Sequence, residues 1–376
     1  MRILVAPDKF RGTLTARQAA EAVEAGWRRA RPDDDIELVP MADGGEGTME
    51  ALIEALGGRI QQARVAGPLG EPVDAAYGVA SSPTGALGVV EMARASGLAL
   101  LAEARRDPMR ATTRGTGELM RRALDAGVEQ LVVCIGGSAT NDGGAGMAAA
   151  LGARLLDQQG HPLPDGGVAL AGLDRIDLSG MHPGLAGVSV TGACDVDNPL
   201  TGPAGASAVY GPQKGATPDD VAVLDRALAH LSAVVERDLG IALKNEPGAG
   251  AAGGLGFGLM AFCGARLHPG VEVVMDAVGL VERIEWADLV VTGEGSLDEQ
   301  SMRGKVPAGV LEATRLAEVP AVVVCGRASV ELPGVTVLSL VDHVGERAAL
   351  EDARGSLVAA AQALAEGAGE LIGAGR

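Results

Sequence analysis

The first forty residues, MRILVAPDKFRGTLTARQAAEAVEAGWRRARPDDDIELVP (1–40), alternate a short apolar strand, a helix and a second strand. Apolar residues at 2–6 predict the first strand. Thr15-x-x-Gln18 is a capping-box start for the helix, and Pro32 ends it. Residues 36–40 predict the second strand. Short, continuously apolar strands joined through helices predict a parallel sheet covered by helices on both faces.

Further along the chain this alternation breaks and later returns. Residues 59–65 and 73–80 predict an antiparallel hairpin. Further strands are predicted at 87–92, 131–135, 188–193, 289–292, 321–325 and 336–339. We therefore expect a doubly wound, parallel-sheet α/β domain at 1–65 plus 280–376, interrupted by an inserted mixed α/β domain at 66–279. The strand at 131–135 fits either domain.

The acidic composition excludes several functional classes. The chain of 376 residues carries 49 Asp and Glu against 31 Lys and Arg, a net charge of −18, without a basic block. Nucleic acid is not expected as the main partner, because neutralising its phosphates needs clustered Lys and Arg. No apolar run reaches the roughly 20 residues that a membrane-spanning helix needs. We therefore expect no membrane partner.

Cysteine and histidine usage indicates a reducing compartment. The four cysteines are far apart and form no CxxC, and the five histidines show no zinc-type spacing. The amino terminus lacks the hydrophobic core and cleavage site of a signal peptide. The expected location is the cytoplasm.

The most glycine-rich loop, GGSATNDGGAG at 136–146, directly follows the predicted strand at 131–135. The backbone N–H groups of such a loop, together with the start of a helix, suit an anion. The residues expected to bind phosphate are Gly136, Gly137, Ser138, Gly143, Gly144 and Gly146. The chain contains neither a Walker A sequence nor a GxGxxG dinucleotide fingerprint.

The scarcity of lysine draws attention to three positions. Only four lysines occur, and Lys9, Lys214 and Lys305 lie in or beside loops that follow predicted strands. Ligands bind at the carboxyl ends of parallel strands. Lysine supplies a compact point charge there.

Two loop aspartates are candidates for chemistry. Asp195 and Asp298 each end a loop beside glycine or hydroxyl residues, as a Mg²⁺ ligand or a general base would. Loop aspartates more often cap turns and helices. Capping is the expected role of Asp142 and Asp197. The segment TTRGTGE (112–118) fits a capping segment and a binding loop equally well.

Several long motifs carry a resemblance to a known family. They are MADGGEGT (41–48), TTRGTGEL (112–119), IGGSATNDGGAGM (135–147), ACDVDNPLTG (193–202) followed by GPQKGA (211–216), and TGEGSLDEQS (292–301) followed by GK. With these motifs in this order, from Ile3 to the last predicted helix, the chain resembles the type 1 glycerate kinases of bacteria.

The resemblance implies phosphorylation of D-glycerate with ATP and Mg²⁺, with 2-phosphoglycerate favoured over 3-phosphoglycerate. It also implies a Rossmann-like domain with an inserted α/β domain and an active site in the cleft between the two. The small-molecule substrate is the expected partner, and a homodimer is the assembly considered. The alternatives are a kinase for another small hydroxy acid and a non-catalytic regulator that binds nucleotides or anions.

The resemblance further implies roles for individual residues. Lys214 and Lys305 would neutralise phosphate charge, and Lys9, Arg11 or Arg114 would hold the glycerate carboxylate. One of Asp195 and Asp298 would carry Mg²⁺, and the other would orient or deprotonate the attacking hydroxyl. The expected substrate-binding set is Asp43, Arg114, Asn198 and Glu294. The family's DSFKG stretch is replaced here by Asp8-Lys9-Phe10-Arg11-Gly12, which leaves the substrate contacts of this loop open.

Overall fold

The computed structural model describes residues 1–302 and 304–369 and divides the chain into two compact units. The terminal unit comprises Met1–Asp43, Glu54–Leu56 and Gly270–Arg376. The central unit comprises Gly44–Ile53 and Gly57–Pro269. Each unit contains its own β-sheet, and the predicted α/β class is confirmed.

The strands of the described chain are β1 Arg2–Pro7, β2 Asp35–Leu38, β3 Arg59–Ala66, β4 Pro72–Ser82, β5 Gly85–Glu91, β6 Gln130–Cys134, β7 Arg154–Leu156, β8 Arg175–Asp177, β9 Ser189–Ala193, β10 Arg266–His268, β11 Leu289–Leu297, β12 Ala321–Ala328 and β13 Thr336–Ser339.

The α-helices are α1 Ala16–Ala30, α2 Thr48–Ala55, α3 Ala93–Ser96, α4 Arg114–Asp125, α5 Ala145–Ala150, α6 Ala206–Tyr210, α7 Pro218–Leu239, α8 Ala251–Cys263, α9 Gly270–Val278, α10 Leu280–Trp286, α11 Val306–Leu316, α12 Leu340–Val344, α13 Glu346–Glu351 and α14 Ala353–Glu366. In the part of the chain that the structure describes, no helix has the length and apolar character needed to cross a lipid bilayer.

The terminal unit is built on a five-stranded sheet in the order β13-β12-β11-β1-β2, and every pairing in it is parallel. Helix α1 begins at the predicted capping box, with Thr15 and Gln18 satisfying each other's backbone N–H groups. Helices α1 and α14 pack together over one face of the sheet, where Trp27 is completely buried. Because all strands run the same way, the residues after β1 and β2 and the end of β11 meet at one edge.

The central unit is built on a six-stranded mixed sheet in the order β10-β9-β6-β5-β4-β3. Strands β3 and β4 form the predicted antiparallel hairpin, and β6 pairs in parallel with β5 and β9. The strand expected at 131–135, which fitted either domain, is therefore central to this sheet. Strand β3 also belongs here, although the predicted boundary at 65/66 grouped it with the first sheet. That one domain is inserted into the other as an independently folding body stays a prediction.

Candidate active site

A pocket of about 440 Å³ opens in the central unit where β6 and β9 end. Its lining includes four of the predicted site residues, Gly136, Gly137, Ser138 and Asp195. The remaining lining residues are Gly44, Gly45, Leu98, Ile135, Ala193, Cys194, Val196, Tyr210, Gln213, Ala251 and Ala252. The pocket therefore combines small residues, which let a ligand approach the backbone, with a few polar side chains.

The loop after β6 is held by two backbone hydrogen bonds to Ser96 and Leu98. Leu98 N donates to Gly137 O at 2.8 Å, and Ala139 N donates to Ser96 O at 3.0 Å. The backbone N–H groups of Gly136, Gly137 and Ser138 have no acceptor among the described residues. Three adjacent unpaired donors on a pocket wall suit an anionic ligand.

Lys214 lies behind this wall rather than on it. Its side chain is 1% exposed. Nζ donates to Ser138 Oγ at 2.7 Å and to Thr140 O at 2.7 Å. Burial lowers the pKa of Lys214 from 10.5 to about 7, and the negative charge of Asp142 opposes this shift. Lys214 is thus positioned to hold the loop in place.

The second half of the glycine-rich loop is occupied internally, and this corrects the phosphate role predicted for Gly143, Gly144 and Gly146. Gly143 N donates to Gly253 O, and the N–H groups of Gly144 and Gly146 both donate to the buried carboxylate of Asp142. That carboxylate also accepts from the backbone N–H and the hydroxyl of Thr113. Asp142 therefore caps the start of α5, as expected from the sequence, and its oxygens take the place of a bound anion.

These glycines serve helix packing instead. A Cβ on Gly143, whose φ is +63°, would lie 2.4 Å from Leu231 Cδ2. A Cβ on Gly144 would lie 2.9 Å from Gly258 Cα. Only glycine lets the loop backbone approach α7 and α8 this closely.

Asn198 supports the pocket from behind its wall. Its Oδ1 accepts from the Tyr210 hydroxyl at 2.6 Å, and its Nδ2 donates to Ala204 O at 2.8 Å. Tyr210 lines the pocket, whereas the Asn198 side chain spans its own loop. Exposed Asp195 lies on the pocket wall beside Cys194, whose thiol pKa is raised by burial and by nearby carboxylates.

Arg114 is placed away from this pocket. Its Nε and Nη2 bind both oxygens of Asp165, at 2.6 and 2.7 Å, and the pair lines a second cavity of about 210 Å³. Asp165 raises the pKa of Arg114 by the same hydrogen bonds. The structure therefore does not bring Arg114 together with Gly136, Ser138 and Asp195.

In the terminal unit, carboxylates gather at the strand ends. Asp8 follows β1, Asp43 follows β2, and Glu294 lies near the end of β11. Burial, together with the negative charges of Asp43 and Glu294 and against the opposing effect of Lys9, raises the pKa of Asp8 to about 7. Glu294 also has a raised pKa because of burial, and its buried Oε1 has no hydrogen-bond partner among the described residues.

Asp298 and Lys305 lie near Glu294, since both charges act on its pKa. The Asp298 carboxylate accepts from the N–H groups of Gln300 and Ser301, which lowers its pKa. Asp298 therefore closes a turn as a stable anion. Lys305 is the N-cap residue directly before α11.

The loop that carries Lys9 and Arg11 is rigidly folded against β11. Phe10 and Leu14 exchange backbone hydrogen bonds across a tight turn. A Cβ on Gly295 would lie 2.9 Å from Arg11 N, so glycine permits this close approach. Lys9 is half-buried and Arg11 is exposed, leaving the guanidinium on the surface of the terminal unit.

Comparisons with known proteins establish the family of this chain. The family model described as the glycerate kinase family matches residues 3–369. The chain belongs to the glycerate kinase family. It is 50% identical over 329 residues to the glycerate kinase of Bacillus subtilis (strain 168), covering 88% of this chain and 86% of that protein.

Two further relatives support the same family. The glycerate 2-kinase of Escherichia coli (strain K12) is 48% identical over 326 residues, 87% of this chain and 85% of that protein. The crystal structure of a candidate glycerate kinase 2 from Salmonella typhimurium LT2 superposes with a TM-score of 0.91 at 45% identity, covering 98% of both chains. Family membership confirms the resemblance and the predicted class, a phosphotransferase acting on an alcohol group. A kinase family implies ATP as the phosphate donor.

Within this family fold, the structure adds residues that the predicted site omitted. Tyr210, directly before the quoted GPQKGA motif, and Gln213, within that motif, line the pocket, but no spacing rule singled them out. Ala251 and Ala252 line it from the start of α8, where Ala252 adopts a left-handed conformation with φ of 54°. Left-handed alanine is rare. The only hint of this unusual backbone in the sequence is the pair of adjacent glycines at 253–254, which also adopt positive φ angles.

A protein site for a metal ion needs several ligating side chains close together. Over residues 1–302 and 304–369, no group of three or more His, Cys, Asp or Glu side chains could hold a metal ion. Mg²⁺ in kinases is held by one or two carboxylates together with substrate phosphates and water. Exposed Asp195 and half-buried Asp298 offer hard oxygen donors of this kind, so their chemistry fits Mg²⁺ brought in by a nucleotide.

Proposed function

We propose that the protein transfers the γ-phosphoryl group of ATP to D-glycerate and forms 2-phosphoglycerate. The observation that supports this most directly is the 48% identity to a glycerate 2-kinase over 87% of the chain. The alternative product, 3-phosphoglycerate, would require the other hydroxyl of the same substrate to face the donor.

The central unit would bind the phosphates of the nucleotide. The support is the row of unpaired N–H groups at Gly136, Gly137 and Ser138 on the wall of the 440 Å³ pocket. Backbone donors fixed before binding lose little entropy when an anion arrives. Lys214 acts by holding the loop at 136–138 in place through Ser138. The hydrogen bond from Tyr210 to Asn198 fixes the loop that follows β9.

The terminal unit would bind glycerate and assist the transfer. Lys9 and Arg11 are cations in one rigid loop, and an arginine can bind a carboxylate through two hydrogen bonds. Lys305 would neutralise phosphate charge, and Asp43 and Glu294 would contact the glycerate hydroxyls. Asp195 and Asp298 are the candidate Mg²⁺ ligands, and bound Mg²⁺ would neutralise charge on the transferring phosphoryl group.

Cytoplasmic location and a homodimer belong to the same proposal. All four cysteines are free thiols, which is compatible with a reducing compartment. Sedimentation or light scattering at micromolar concentration checks the dimer.

The deciding experiment incubates the protein with ATP, Mg²⁺ and D-glycerate and identifies the product by phosphorus and proton NMR. 2-Phosphoglycerate is expected, and 3-phosphoglycerate would overturn the proposed regiochemistry. Parallel reactions with L-glycerate, glycolate and other small hydroxy acids test a different substrate. ATP binding without ADP release for any of these acids would indicate the non-catalytic regulator.

The metal proposal is tested by the Mg²⁺ requirement of two variants. Asp195→Asn and Asp298→Asn are each expected to lower kcat by about 10- to 1000-fold at standard Mg²⁺. If the replaced aspartate is a metal ligand, the variant should also need a higher Mg²⁺ concentration to reach its half-maximal rate. Near-normal turnover in both variants would contradict these roles.

A further inference from the structure

Asp8 is the most unusual ionisable group in the terminal unit. Its side chain is 5% exposed and lies directly after β1, between the β11 and β2 neighbours of that strand. Asp8 N donates to Gly293 O at 2.8 Å, and Lys9 N donates to Asp8 Oδ1 at 2.7 Å. Its other carboxylate oxygen, Oδ2, has no hydrogen-bond donor among the described residues. Asp8 therefore has a fixed position and one oxygen still able to accept a proton.

The charges around Asp8 hold it near the midpoint of its titration at neutral pH. Burial, Asp43 and Glu294 favour the protonated form, whereas the N–H group and the ammonium of Lys9 favour the anion. The resulting pKa of about 7 matches the operating range of a general base. In enzymes, neighbouring carboxylates whose surroundings move their pKa values apart take different roles: the one with the raised pKa exchanges protons, and the others stay ionised.

The other carboxylates considered for the reaction lack these properties. Asp298 has a lowered pKa because two backbone N–H groups stabilise its anion. Such a carboxylate is a weak proton acceptor and a good cation ligand. Asp195 is solvent-exposed on the central unit.

We propose that Asp8 is the general base that accepts the proton of the glycerate hydroxyl during phosphoryl transfer. The inference rests on the proposed glycerate kinase function. The hydroxyl oxygen forms a bond to the γ-phosphorus, the bond from that phosphorus to the β–γ bridging oxygen breaks, and ADP leaves. The hydroxyl proton moves to Asp8 Oδ2.

The test compares Asp8→Asn and Asp8→Glu with Asp35→Asn, a matched control at the exposed amino end of β2. Asp8→Asn is expected to lower kcat about 100- to 10,000-fold, the usual contribution of a general base. Dissociation constants for ATP and glycerate, measured by calorimetry, should change less than about threefold. Asp35→Asn should behave as the parent protein.

The pH profile separates a base from a residue that only supports the fold. The parent kcat/KM should fall on the acid side with an apparent pKa near 7, and Asp8→Asn should lose this limb. Asp8→Glu keeps a carboxylate and should retain the limb at reduced kcat. Asp43→Asn removes a like charge and should move the limb to lower pH.

The possible failures are distinguishable. A parent protein without glycerate kinase activity overturns the proposed function and this inference with it. An active parent whose Asp8→Asn variant keeps at least a third of kcat, or keeps the acid limb, overturns the role of Asp8 alone. If Asp8→Asn melts well below the parent, Asp8→Glu and Asp43→Asn decide the question by the same pH profiles.

Discussion

The ammonium of Lys214 donates a 2.7 Å hydrogen bond to the Ser138 hydroxyl oxygen and is itself almost completely buried. The bond joins the 3₁₀ turn at Pro212–Lys214 to the loop that lines the central pocket. A second bond to Thr140 O fixes the same loop two residues further along the chain. Lys214 therefore controls the position of the unpaired N–H groups at 136–138 without facing the ligand itself.

Replacing Lys214 should weaken nucleotide binding. Lys214→Met keeps the length of the side chain but removes both donors, so the loop loses its two fixed points. We expect the dissociation constant for ADP to rise at least about tenfold, which corresponds to about 1.4 kcal/mol. Calorimetric titration measures it, with Lys244→Met at an exposed position as the control. An unchanged affinity in a folded Lys214→Met protein would contradict this role.

The buried ammonium should also make stability depend on pH in a defined window. The pKa of Lys214 is about 7 in the folded protein and 10.5 in the reference state, so between these values the unfolded chain binds more protons. Its contribution to the free energy of unfolding therefore rises with pH from about 7 to 10.5, by at most about 1.4 kcal/mol per pH unit.

Urea unfolding of the parent and Lys214→Met at pH 6, 7.5 and 9 isolates this contribution, because most other titrations cancel in the difference. The parent should gain stability relative to the variant between pH 7.5 and 9. Well below pH 7 the difference should become constant, since Lys214 is then protonated in both states. A difference independent of pH over the whole range would show that Lys214 is not buried as described.

Asp142 should be critical for stability rather than for chemistry. Its fully buried carboxylate accepts from Thr113 N, the Thr113 hydroxyl, Gly144 N and Gly146 N. Asp142→Ala leaves these donors unpaired, and each unpaired buried donor costs about 1–3 kcal/mol. We expect a loss of at least about 3 kcal/mol in the free energy of unfolding, measured by urea denaturation.

Asp165→Asn is the matched control for Asp142. It also breaks hydrogen bonds to a carboxylate, but Asp165 and its partner Arg114 are 31% and 34% exposed. A pair of this kind contributes about 1 kcal/mol or less. Equal destabilisation by the two substitutions would contradict the capping role of Asp142.

The strands and the first helix could be predicted because their signals are local. The apolar run at 2–6 and the Thr15–Gln18 capping box depend only on near neighbours in the chain, and both elements form where expected. The predicted strand at 289–292 is shorter than β11, which continues through the polar, glycine-containing residues 293–297 and pairs there with β12. An apolar pattern cannot identify that extension.

The site was less predictable because its properties depend on distant residues. The sequence shows N–H groups in the glycine-rich loop, but not that the Asp142 carboxylate occupies those of Gly144 and Gly146. Likewise, nothing near Asp8 in the sequence indicates its raised pKa, which depends on burial and on the distant residues Asp43 and Glu294. Whether a donor faces a ligand or an internal acid is decided by tertiary structure.

Gly136 offers the sharpest test of the pocket, because a methyl group there should affect the ligand and not the fold. A Cβ on Gly136 would meet only Gly45 Cα, at 3.8 Å, which is an ordinary contact. Gly136→Ala should therefore melt within about 2 °C of the parent, while the added methyl reduces the room for a phosphate against the wall. We expect the dissociation constant for ADP to rise at least about fivefold.

Two other glycines supply the controls for Gly136→Ala. A Cβ on Gly187 would have no neighbour within 4 Å, so Gly187→Ala should change neither stability nor binding. Gly143 has a φ of +63° and would place Cβ 2.4 Å from Leu231, so Gly143→Ala should lower the free energy of unfolding by about 2 kcal/mol or more. Since the Gly143 N–H is already bonded to Gly253 O, any folded fraction should still bind ADP. Parent-like ADP binding by Gly136→Ala would instead show that the nucleotide phosphates bind elsewhere.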